Sequence, residues 1–341
     1  MTITQDIIQQ AWRKKNALFY WVLVPLSWLF AAITSIRRCA YRAGFFRSYA
    51  LPVPVIIVGN IHIGGSGKTP VVIWLVNQLK QQGYKPAVIS RGYGGSVKLP
   101  TAVTINSDAN IIGDEPLLIA NRCECPVWVG ADRVRVGVEL LKAHPDCDVI
   151  ISDDGLQHYR LKRDVEIVVV DAENYQQDAC LLPAGRLRES MDRLQTVDAV
   201  IKNGYGDAQV NQPSTITNAF QMQLKGEQFY NLAEPTLKAS ALDFKRKSIK
   251  AMAGIGNPAR FFEHLRQLGL TFASSSFDDH HAYNGLELAK MDCDVLLMTE
   301  KDAVKCQLFA KPHYWVLPVE ASIDEGLLPI ILNKLTKRTA V

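Results

Sequence analysis

The sequence has few cysteines, and they form no pattern that would build a disulfide framework or a metal site. Seven cysteines are scattered through 341 residues, and only Cys123 and Cys125 stand close together. No second cluster accompanies this pair to complete a set of metal ligands. We therefore expect reduced thiols in a protein that faces the cytosol.

Internal repeats and low-complexity segments are also missing, and so are the stretches of interleaved aromatic and basic residues that bind RNA. Positive charge is concentrated at one end: residues 1–50 carry seven basic residues and one acid, a net of +6, whereas the whole chain sums to +4. The rest of the chain is therefore slightly acidic, and we expect no nucleic-acid partner. The share of hydrophobic residues, 48%, is that of a folded protein, and the length allows two domains. The sequence carries no pattern that predicts an oligomeric state.

An uncharged run lies between the two basic clusters of the N-terminal segment. Residues 16–36, NALFYWVLVPLSWLFAAITSI, carry no charge, and about twenty apolar residues can cross a bilayer core. The run is too long for a signal peptide, and no small-residue cleavage site follows it. Because basic residues flank both ends, a spanning helix and an interfacial helix both remain open. We predict a membrane-associated helical segment over residues 1–50 that contacts membrane lipids.

From residue 51 onward, short apolar runs alternate with amphipathic segments. The runs predicted as strands lie at residues 55–58, 86–90, 126–130, 148–154, 165–171 and 198–203. Strands that are apolar on both faces indicate a doubly wound parallel sheet with helices on each side. After about residue 206 the chain becomes polar and turn-rich before the alternation resumes. We therefore expect a core domain over residues 51–205 and a smaller α/β domain over residues 206–341.

Residues 58–70, VGNIHIGGSGKTP, contain the second half of a phosphate-binding loop. The strict pattern is G-x-x-x-x-G-K-[ST], and His62 stands where its first glycine should be. Gly59, three residues earlier, could allow a wider turn. A buried strand precedes the segment and a helix follows it, so backbone amides at the start of the helix would bind an anion. Lys68 would reach the phosphates, and Thr69 would ligate Mg²⁺. The residues expected to bind nucleotide are Gly64, Gly65, Ser66, Gly67, Lys68 and Thr69.

A second motif supports the first. Residues 149–155, VIISDDG, place Asp153 and Asp154 at the end of an apolar strand. Carboxylates at this position beside a phosphate loop hold Mg²⁺, directly or through water. The two motifs together predict a P-loop NTPase-type fold with ATP and Mg²⁺ as cofactors.

In chain order the motifs resemble those of the tetraacyldisaccharide 4'-kinases, the lipid A 4'-kinases of Gram-negative bacteria. They are GNIHIGGSGKTP, SRGYGG, GDEP, GADR, SDDGLQH, LPAGRLRE, FDDHH and TEKDAVK. That family tolerates a residue other than glycine at the position of His62. The resemblance implies phosphorylation by ATP of the 4'-hydroxyl of a tetraacylated glucosamine disaccharide 1-phosphate, the lipid A precursor, to give lipid IVA. It also implies that the catalytic domains face the cytoplasm at the inner membrane.

The resemblance further implies a catalytic pair. Asp114 of the DEP motif would accept the proton of the sugar hydroxyl, His280 would support it, and Lys68 would contact the transferred phosphate. From the residues alone, Asp114 could instead be the cap of the following helix, and His281 is an alternative to His280. Because Asp114 and His280 fall in different predicted domains, domain closure would assemble the site.

Further residues are expected around this centre. The resemblance places Arg188 and Glu189 near the nucleotide, and residues 299–305, TEKDAVK, in the cleft between domains. Arg133 could instead be an ordinary arginine at the start of a helix. The residues expected to line the phosphate and disaccharide region are Arg91, Tyr93, Arg133, Gln157 and His158.

Three other classes of protein share parts of this pattern. A membrane-recruited regulatory ATPase of the Min type would carry a lysine at the position of Ile63. A dinucleotide-dependent sugar enzyme would use residues 254–259, GIGNPA, although a tight strand-to-helix turn explains that segment more simply. A non-enzymatic membrane adaptor would need neither the loop nor the acidic pair. ATP turnover measured with and without the lipid distinguishes these classes from the kinase.

Overall fold

The protein is described by a computed structural model that covers residues 18–172, 180–204 and 218–339. The basic residues 13–15 and the polar stretch 211–217 lie outside the described residues. The helices are α1 (Leu18–Arg42), α2 (Lys68–Gln81), α3 (Ala109–Ile112), α4 (Asp114–Cys123), α5 (Arg133–Ala143), α6 (Pro258–Gln267), α7 (Gly285–Ala289), α8 (Glu300–Cys306) and α9 (Leu327–Thr339). Short 3₁₀ helices lie at Met191–Gln195, Ala241–Phe244 and Gln307–Phe309.

The strands form two sheets. Their bounds are β1 (Val55–Gly59), β2 (Pro86–Ser90), β3 (Thr101–Val103), β4 (Val127–Val129), β5 (Val149–Asp153), β6 (Val165–Asp171), β7 (Ala199–Asn203), β8 (Ala219–Lys225), β9 (Gln228–Asn231), β10 (Lys238–Ser240), β11 (Ile249–Ala253), β12 (Ala273–Ser276), β13 (Val295–Thr299), β14 (Tyr314–Leu317) and β15 (Glu320–Ile323). The strands predicted for residues 51–205 are all present, with ends that differ by at most one residue.

The first sheet has nine strands in the order β15-β8-β7-β6-β1-β5-β2-β4-β3. Its strands are parallel from β8 through β4, and only the edge strands β15 and β3 run antiparallel. Strand β1 lies between β5 and β6, with Val58 level with Asp153 on one side and Ile167 on the other. The loop that follows β1 therefore emerges beside the carboxyl end of β5, the edge at which open α/β sheets bind ligands.

Helices cover both faces of this sheet. Leu75 of α2, Ile119 of α4 and Ile331 of α9 belong to one apolar cluster, and all three are completely buried. Leu140 of α5 and Leu194 belong to the cluster on the opposite face. Each such side chain stabilises the fold by about 1.5–3 kcal/mol relative to its exposed state. The predicted doubly wound parallel sheet is confirmed.

The second sheet has six strands in the order β10-β9-β14-β13-β11-β12. Strands β12, β11, β13 and β14 are parallel, and β9 and β10 continue the sheet antiparallel. Phe262 and Leu265 of α6 pack on one face, and Leu288 of α7 and Cys306 of α8 pack on the other. This sheet supplies the smaller α/β unit that the sequence predicts.

The two sheets do not divide at residue 206, where the sequence places the domain boundary. Strands β8 and β15 extend the first sheet, and Met222 together with Leu327 and Leu335 of α9 joins its core. The chain therefore passes to the second sheet after β8 and returns before β15. These two connections lie side by side, since a Cβ on Gly226 would lie 2.2 Å from the carbonyl oxygen of Pro318. We propose that the smaller unit spans residues 226–319.

Helix α1 packs on the rest of the protein along one narrow face. The Ser27 hydroxyl donates to the Leu181 carbonyl at 2.8 Å and accepts from the Ala184 amide at 2.9 Å. Leu23 is buried against Ala184. The exposed apolar side chains of the helix are Trp21, Val22, Leu26, Trp28, Leu29, Ile33 and Ile36. By length and composition alone the helix could cross a membrane.

Candidate active site

The phosphate loop connects β1 to α2 and contains two glycines in a left-handed conformation. Gly64 has φ of 111° and Gly67 has φ of 92°, values that side-chain-bearing residues rarely adopt. A Cβ on Gly67 would lie 2.4 Å from Nδ2 of Asn203, which donates to the Ser66 carbonyl at 3.0 Å. The positions of the loop that require glycine are therefore Gly64 and Gly67, in its second half.

His62 forms an antiparallel bridge with Leu187 and has no positive φ, so its backbone does not require glycine. Residues 61–63 run antiparallel to residues 186–188, and the Ile63 amide donates to the Arg186 carbonyl at 2.8 Å. Gly59 does not widen the turn, because a Cβ there would lie 2.6 Å from Cβ of Leu156. Its role is close packing at the end of β1. The loop thus differs from the strict pattern only where its backbone is paired with a neighbouring segment.

Three charged side chains converge beside the loop. Lys68 Nζ lies 3.5 Å from Asp154 Oδ1, and Arg188 Nη1 lies 3.1 Å from Asp154 Oδ2. Burial acts to raise the pKa of Asp154, but Lys68 and Arg188 lower it overall. Asp154 has a left-handed backbone with φ of 48°, a strained position of the kind that clusters at functional sites. Lys68 and Arg188 both line the same cavity as the loop.

Asp153 is the carboxylate beside the loop that fits a cation best. It is 1% exposed, and its Oδ2 accepts from the Ser90 hydroxyl at 3.0 Å, while Oδ1 has no hydrogen-bond partner. Burial, and then the charge of Glu115, raise the pKa of Asp153 to about 7. No group of three acidic, histidine or cysteine side chains that could hold a metal occurs in the described part of the chain. One or two carboxylates completed by phosphate and water are, however, the usual protein contribution to Mg²⁺ binding.

Asp114 and His280 meet across the two sheets. Asp114 opens α4 and is 4% exposed, and His280 Nδ1 lies 2.9 Å and 3.0 Å from its two carboxylate oxygens. His281 instead contacts Glu287, with Nε2 3.0 Å from Oε2. The geometry therefore selects His280. Asp114 Oδ1 also accepts from the Glu115 amide at 2.8 Å, so the carboxylate satisfies a helix-start amide as well.

Each member of this pair favours the charged form of the other. Burial would raise the pKa of Asp114, but the hydrogen bond with His280 and the charges of Lys301, His280 and Lys305 lower it overall. Burial would lower the pKa of His280, but the hydrogen bond with Asp114 and the charges of Asp114 and Asp279 raise it overall. The backbone of His280 is left-handed, with φ of 62°. The contact therefore shifts the pair toward carboxylate and imidazolium.

One large cavity is lined by the phosphate loop, the two aspartates beside it and His280, and Asp114 adjoins it through its neighbours Glu115 and His280. Its volume is about 1620 Å³, and its walls come from both sheets. The segment of residues 254–259 is a strand-to-helix turn between β11 and α6, and it touches the phosphate loop. A Cβ on Gly256 would lie 2.4 Å from the backbone nitrogen of Gly65. The cavity exceeds the roughly 300–1,000 Å³ of common ligand pockets, which leaves room for two substrates.

Two of the residues expected in the disaccharide region face this cavity. Arg91 and Tyr93 both line it, and the ring of Tyr93 lies 5.1 Å from that of His280. Residues 299–301 of the TEKDAVK segment line it as well. These placements agree with the expectation for a cleft between the two sheets.

The other three residues expected there, and Glu189, which was expected near the nucleotide, are not among those that line the cavity. Arg133 is 3% exposed, and its Nη1 donates to the Gly130 and Ala131 carbonyls at 3.2 Å. Burial lowers the pKa of His158 to about 4. The two remaining residues are Gln157 and Glu189, and Glu189 lies beside Arg193.

Gln157 and Glu189 contact each other, with Gln157 Nε2 3.1 Å from Glu189 Oε1. Glu189 also accepts from the Tyr159 hydroxyl at 2.9 Å and lies 3.3 Å from Arg193 Nε. The expected position of Glu189 beside the nucleotide is therefore not what the structure shows. Its neighbour Arg188 faces the cavity because successive side chains of an extended segment point to opposite sides.

Sequence reasoning missed two polar residues of the site. Ser90 ends β2 and donates to Asp153, and Asn203 ends β7 and contacts the phosphate loop. Both are polar residues at the carboxyl ends of apolar parallel strands, and this pattern in the sequence could have identified them. Asp153 was found by the same criterion.

Comparisons with known proteins identify relatives over nearly the whole chain. A family model described as Tetraacyldisaccharide-1-P 4'-kinase matches residues 19–336. The tetraacyldisaccharide 4'-kinase of Methylobacillus flagellatus is 47% identical over 316 residues, which cover 93% of this chain and 92% of the relative. That of Janthinobacterium sp. (strain Marseille) is 46% identical over 345 residues, covering 98% of this chain and 97% of the relative.

A solved structure has the same fold. The crystal structure of the "apo" form of LpxK from Aquifex aeolicus in complex with ATP matches with a TM-score of 0.80 and 29% identity, covering 93% of this chain and 100% of that one. The sequence and structure comparisons therefore both cover nearly the whole chain. The chain belongs to the tetraacyldisaccharide-1-P 4'-kinase family.

Proposed function

We propose that the protein transfers the γ-phosphoryl group of ATP to the 4'-hydroxyl of a tetraacylated glucosamine disaccharide 1-phosphate, giving the 1,4'-bisphosphate lipid IVA. Membership of the kinase family supports this activity. The observation that carries the mechanism is a carboxylate–imidazole pair, Asp114 and His280, whose imidazole lines the same cavity as the phosphate loop.

Asp114 accepts the proton of the 4'-hydroxyl as the oxygen bonds to the γ-phosphorus and the bond to the ADP leaving oxygen breaks. A sugar hydroxyl is a weak nucleophile, and a positioned base typically contributes 10²- to 10⁴-fold. Asp114 is suited to this role because the neighbouring cations keep it ionised. His280 orients the carboxylate and stabilises its charge through its hydrogen bond.

The phosphate loop binds the triphosphate through the amides of residues 64–69 and the ammonium of Lys68. Charge spreads over the phosphoryl oxygens in the transition state, so positioned cations contribute most of the catalysis. Lys68 contacts Asp154 at 3.5 Å. We propose that it exchanges this contact for phosphate oxygens when ATP binds, and that Arg188, already paired with Asp154, remains near the nucleotide.

Thr69, Asp153 and Asp154 would hold Mg²⁺. When bound, the ion neutralises phosphate charge and orients the triphosphate. The unpartnered, buried Oδ1 of Asp153 fits a cation, whereas Asp154 is already paired with Lys68 and Arg188. We therefore propose Asp153 as the principal protein ligand.

We propose that the lipid head group lies between Arg91 and Tyr93 on the first sheet and the His280 segment on the second. Arg133 is buried, Gln157 and His158 are half-buried, and none of the three lines the cavity. We also propose that α1 attaches the protein to the inner membrane, with both sheets on the cytoplasmic side. The exposed apolar side chains of α1 support attachment, since one face of the helix packs on the protein and the others do not.

The test is a mass spectrum of the tetraacylated disaccharide 1-phosphate after incubation with the protein and Mg-ATP. The proposal predicts the gain of one phosphoryl group, located at the 4' position by fragmentation, and ATP consumption that depends on the lipid. ATP hydrolysis that proceeds without the lipid, together with an unmodified lipid, would overturn it.

A further inference from the structure

The TEKDAVK segment places two lysines against the catalytic pair. It forms the end of β13 and helix α8, which packs on α4, the helix that begins at Asp114. Lys301 Nζ lies 3.0 Å from Glu115 Oε1 and 3.0 Å from Asp279 Oδ1. It therefore connects the neighbour of Asp114 on one sheet to the neighbour of His280 on the other.

Lys305, one helical turn further along α8, approaches Asp114 itself. Its side chain is 7% exposed, and Nζ lies 3.1 Å from Asp302 Oδ1 and 3.9 Å from Asp114 Oδ2. A buried ammonium without paired charges would be strongly unfavourable, so these two carboxylates are what keep it there. Lys305 is therefore a buried cation beside Asp114.

Asp302 holds Lys305 in place because it is itself fixed. It is completely buried and accepts from the Tyr283 hydroxyl at 3.0 Å, the Thr299 hydroxyl at 2.7 Å and the Gly254 amide at 3.1 Å. A carboxylate with this many donors has little freedom to move. Its partner Lys305 is therefore a preorganised cation rather than a mobile surface side chain.

We propose that Lys305 is a positioning residue of the phosphoryl-transfer site, a buried cation that keeps Asp114 ionised and oriented as the sugar hydroxyl approaches. The role acts through Asp114, because Lys305 is not among the residues that line the cavity. The inference rests on the proposed function, in which Asp114 is the base.

The charges around Asp114 determine the direction in which its pKa changes when Lys305 is replaced. Asp114 is faced by His280, Lys301 and Lys305, and Glu115 adjoins it in the chain. Removing the positive charge of Lys305 leaves the buried carboxylate less stabilised, so its pKa rises. The base is then protonated over a wider acidic range, and activity falls most at low pH.

The experiment compares the pH profiles of kcat/KM for the lipid in the wild type and in Lys305→Met, Lys305→Gln and Lys305→Arg. The two neutral variants should lose activity at the acidic end, with the acid limb displaced toward neutral pH. A displacement of about one pH unit lowers activity roughly tenfold below the limb. Lys305→Arg keeps the charge and should restore the shape of the wild-type profile.

The matched control is Lys290→Met, an exposed lysine on the same sheet, which should leave the profile unchanged. Neutral variants that keep the wild-type profile shape, at full or uniformly reduced activity, would overturn the inference, since uniform loss is what a packing defect produces. Lys305→Gln keeps a polar head group, so it provides the comparison if Lys305→Met does not fold. Failure of the wild type to phosphorylate the lipid would refute the proposed function instead, which separates the two outcomes.

Discussion

We expect the charge of Lys68 to be essential for phosphoryl transfer at the phosphate loop. Its ammonium is nearly buried and faces Asp154. We expect Lys68→Ala to abolish lipid phosphorylation at saturating Mg-ATP and to weaken ATP binding less, because the lost charge matters most in the transition state. Lys85→Ala, at an exposed lysine far from the loop, is the control and should behave like the wild type. Turnover of Lys68→Ala close to the wild-type rate would show that the loop is not catalytic.

Asp114 and Asp153 should respond differently to magnesium because only Asp153 has a free buried oxygen beside the loop. Asp114→Ala should lower kcat on the order of 10²- to 10⁴-fold at any Mg²⁺ concentration. Asp153→Ala should raise the Mg²⁺ concentration needed for half-maximal activity. The measurement is kcat for the lipid across a Mg²⁺ titration, and rescue of Asp114→Ala by excess Mg²⁺ would make Asp114 a metal ligand.

His280 should matter less than Asp114 if it acts only through the carboxylate it contacts. His280→Ala should lower kcat by a smaller factor, and the double variant should be little worse than Asp114→Ala, since residues that act as a unit are not additive. His281→Ala is the matched control because that ring contacts Glu287 instead. Losses that multiply in the double variant would indicate that the two residues act independently.

The sequence located the Asp114–His280 pair better than it located the residues that line the cavity. Motif order led to Asp114 and His280, and the structure brings them within 2.9 Å. Gln157 was expected in the phosphate and disaccharide region and Glu189 near the nucleotide, but they contact each other and neither lines the cavity. Motif spacing shows which segments meet, whereas side-chain direction depends on packing that only the folded chain determines.

At the scale of elements, the contact between the phosphate loop and the turn before α6 predicts a specific sensitivity. A methyl group on Gly256 would lie 2.4 Å from the backbone nitrogen of Gly65, so either the loop or the turn must shift. Gly256→Ala should therefore weaken ATP binding while the fold remains stable, as measured by calorimetric titration and thermal unfolding. At Gly285 a methyl group meets nothing closer than 3.8 Å, so Gly285→Ala is the control. An unchanged dissociation constant in Gly256→Ala would mean that the contact does not influence the loop.

The strands themselves were predictable, but not all of their partners. Local apolar runs located β1, β2, β5, β6 and β7 to within one residue because a strand buried on both faces has a clear composition. Strands β8 and β9 are consecutive in the chain, yet they belong to different sheets. Strand pairing is a long-range choice, and here it depends on Met222 being buried against the first sheet rather than on the residues between the strands.

At the scale of the whole molecule, the two sheets share one cavity and one set of charged contacts. Arg122 of α4 contacts Glu300 of α8 at 2.5 Å, close to the contacts made by Lys301 and Lys305. The side-by-side connections at Gly226 and Pro318 are the covalent links between the sheets. Because His280 and the phosphate loop belong to different sheets, the proposed site depends on the packing of α8 against α4.

We propose that α1 attaches the protein to the membrane. Its exposed apolar face can be substituted without disturbing the face that packs on the protein. Trp21, Trp28 and Leu29 are 66%, 70% and 58% exposed, whereas Leu23 and Ser27 hold the helix on the protein. Replacing the three exposed residues by serine removes apolar area that would otherwise enter the lipid, at about 25 cal/mol per Å². We expect the triple variant to lose most of its binding to anionic phospholipid vesicles in a sedimentation assay, and to keep its kcat on detergent-dispersed lipid.

The remaining binding should be sensitive to salt, because the basic residues near the end of α1 still attract the anionic surface. Leu308→Ser, which removes a 92% exposed side chain from the other sheet, should sediment like the wild type. Undiminished, salt-resistant binding of the triple variant would show that α1 does not attach the protein to the membrane.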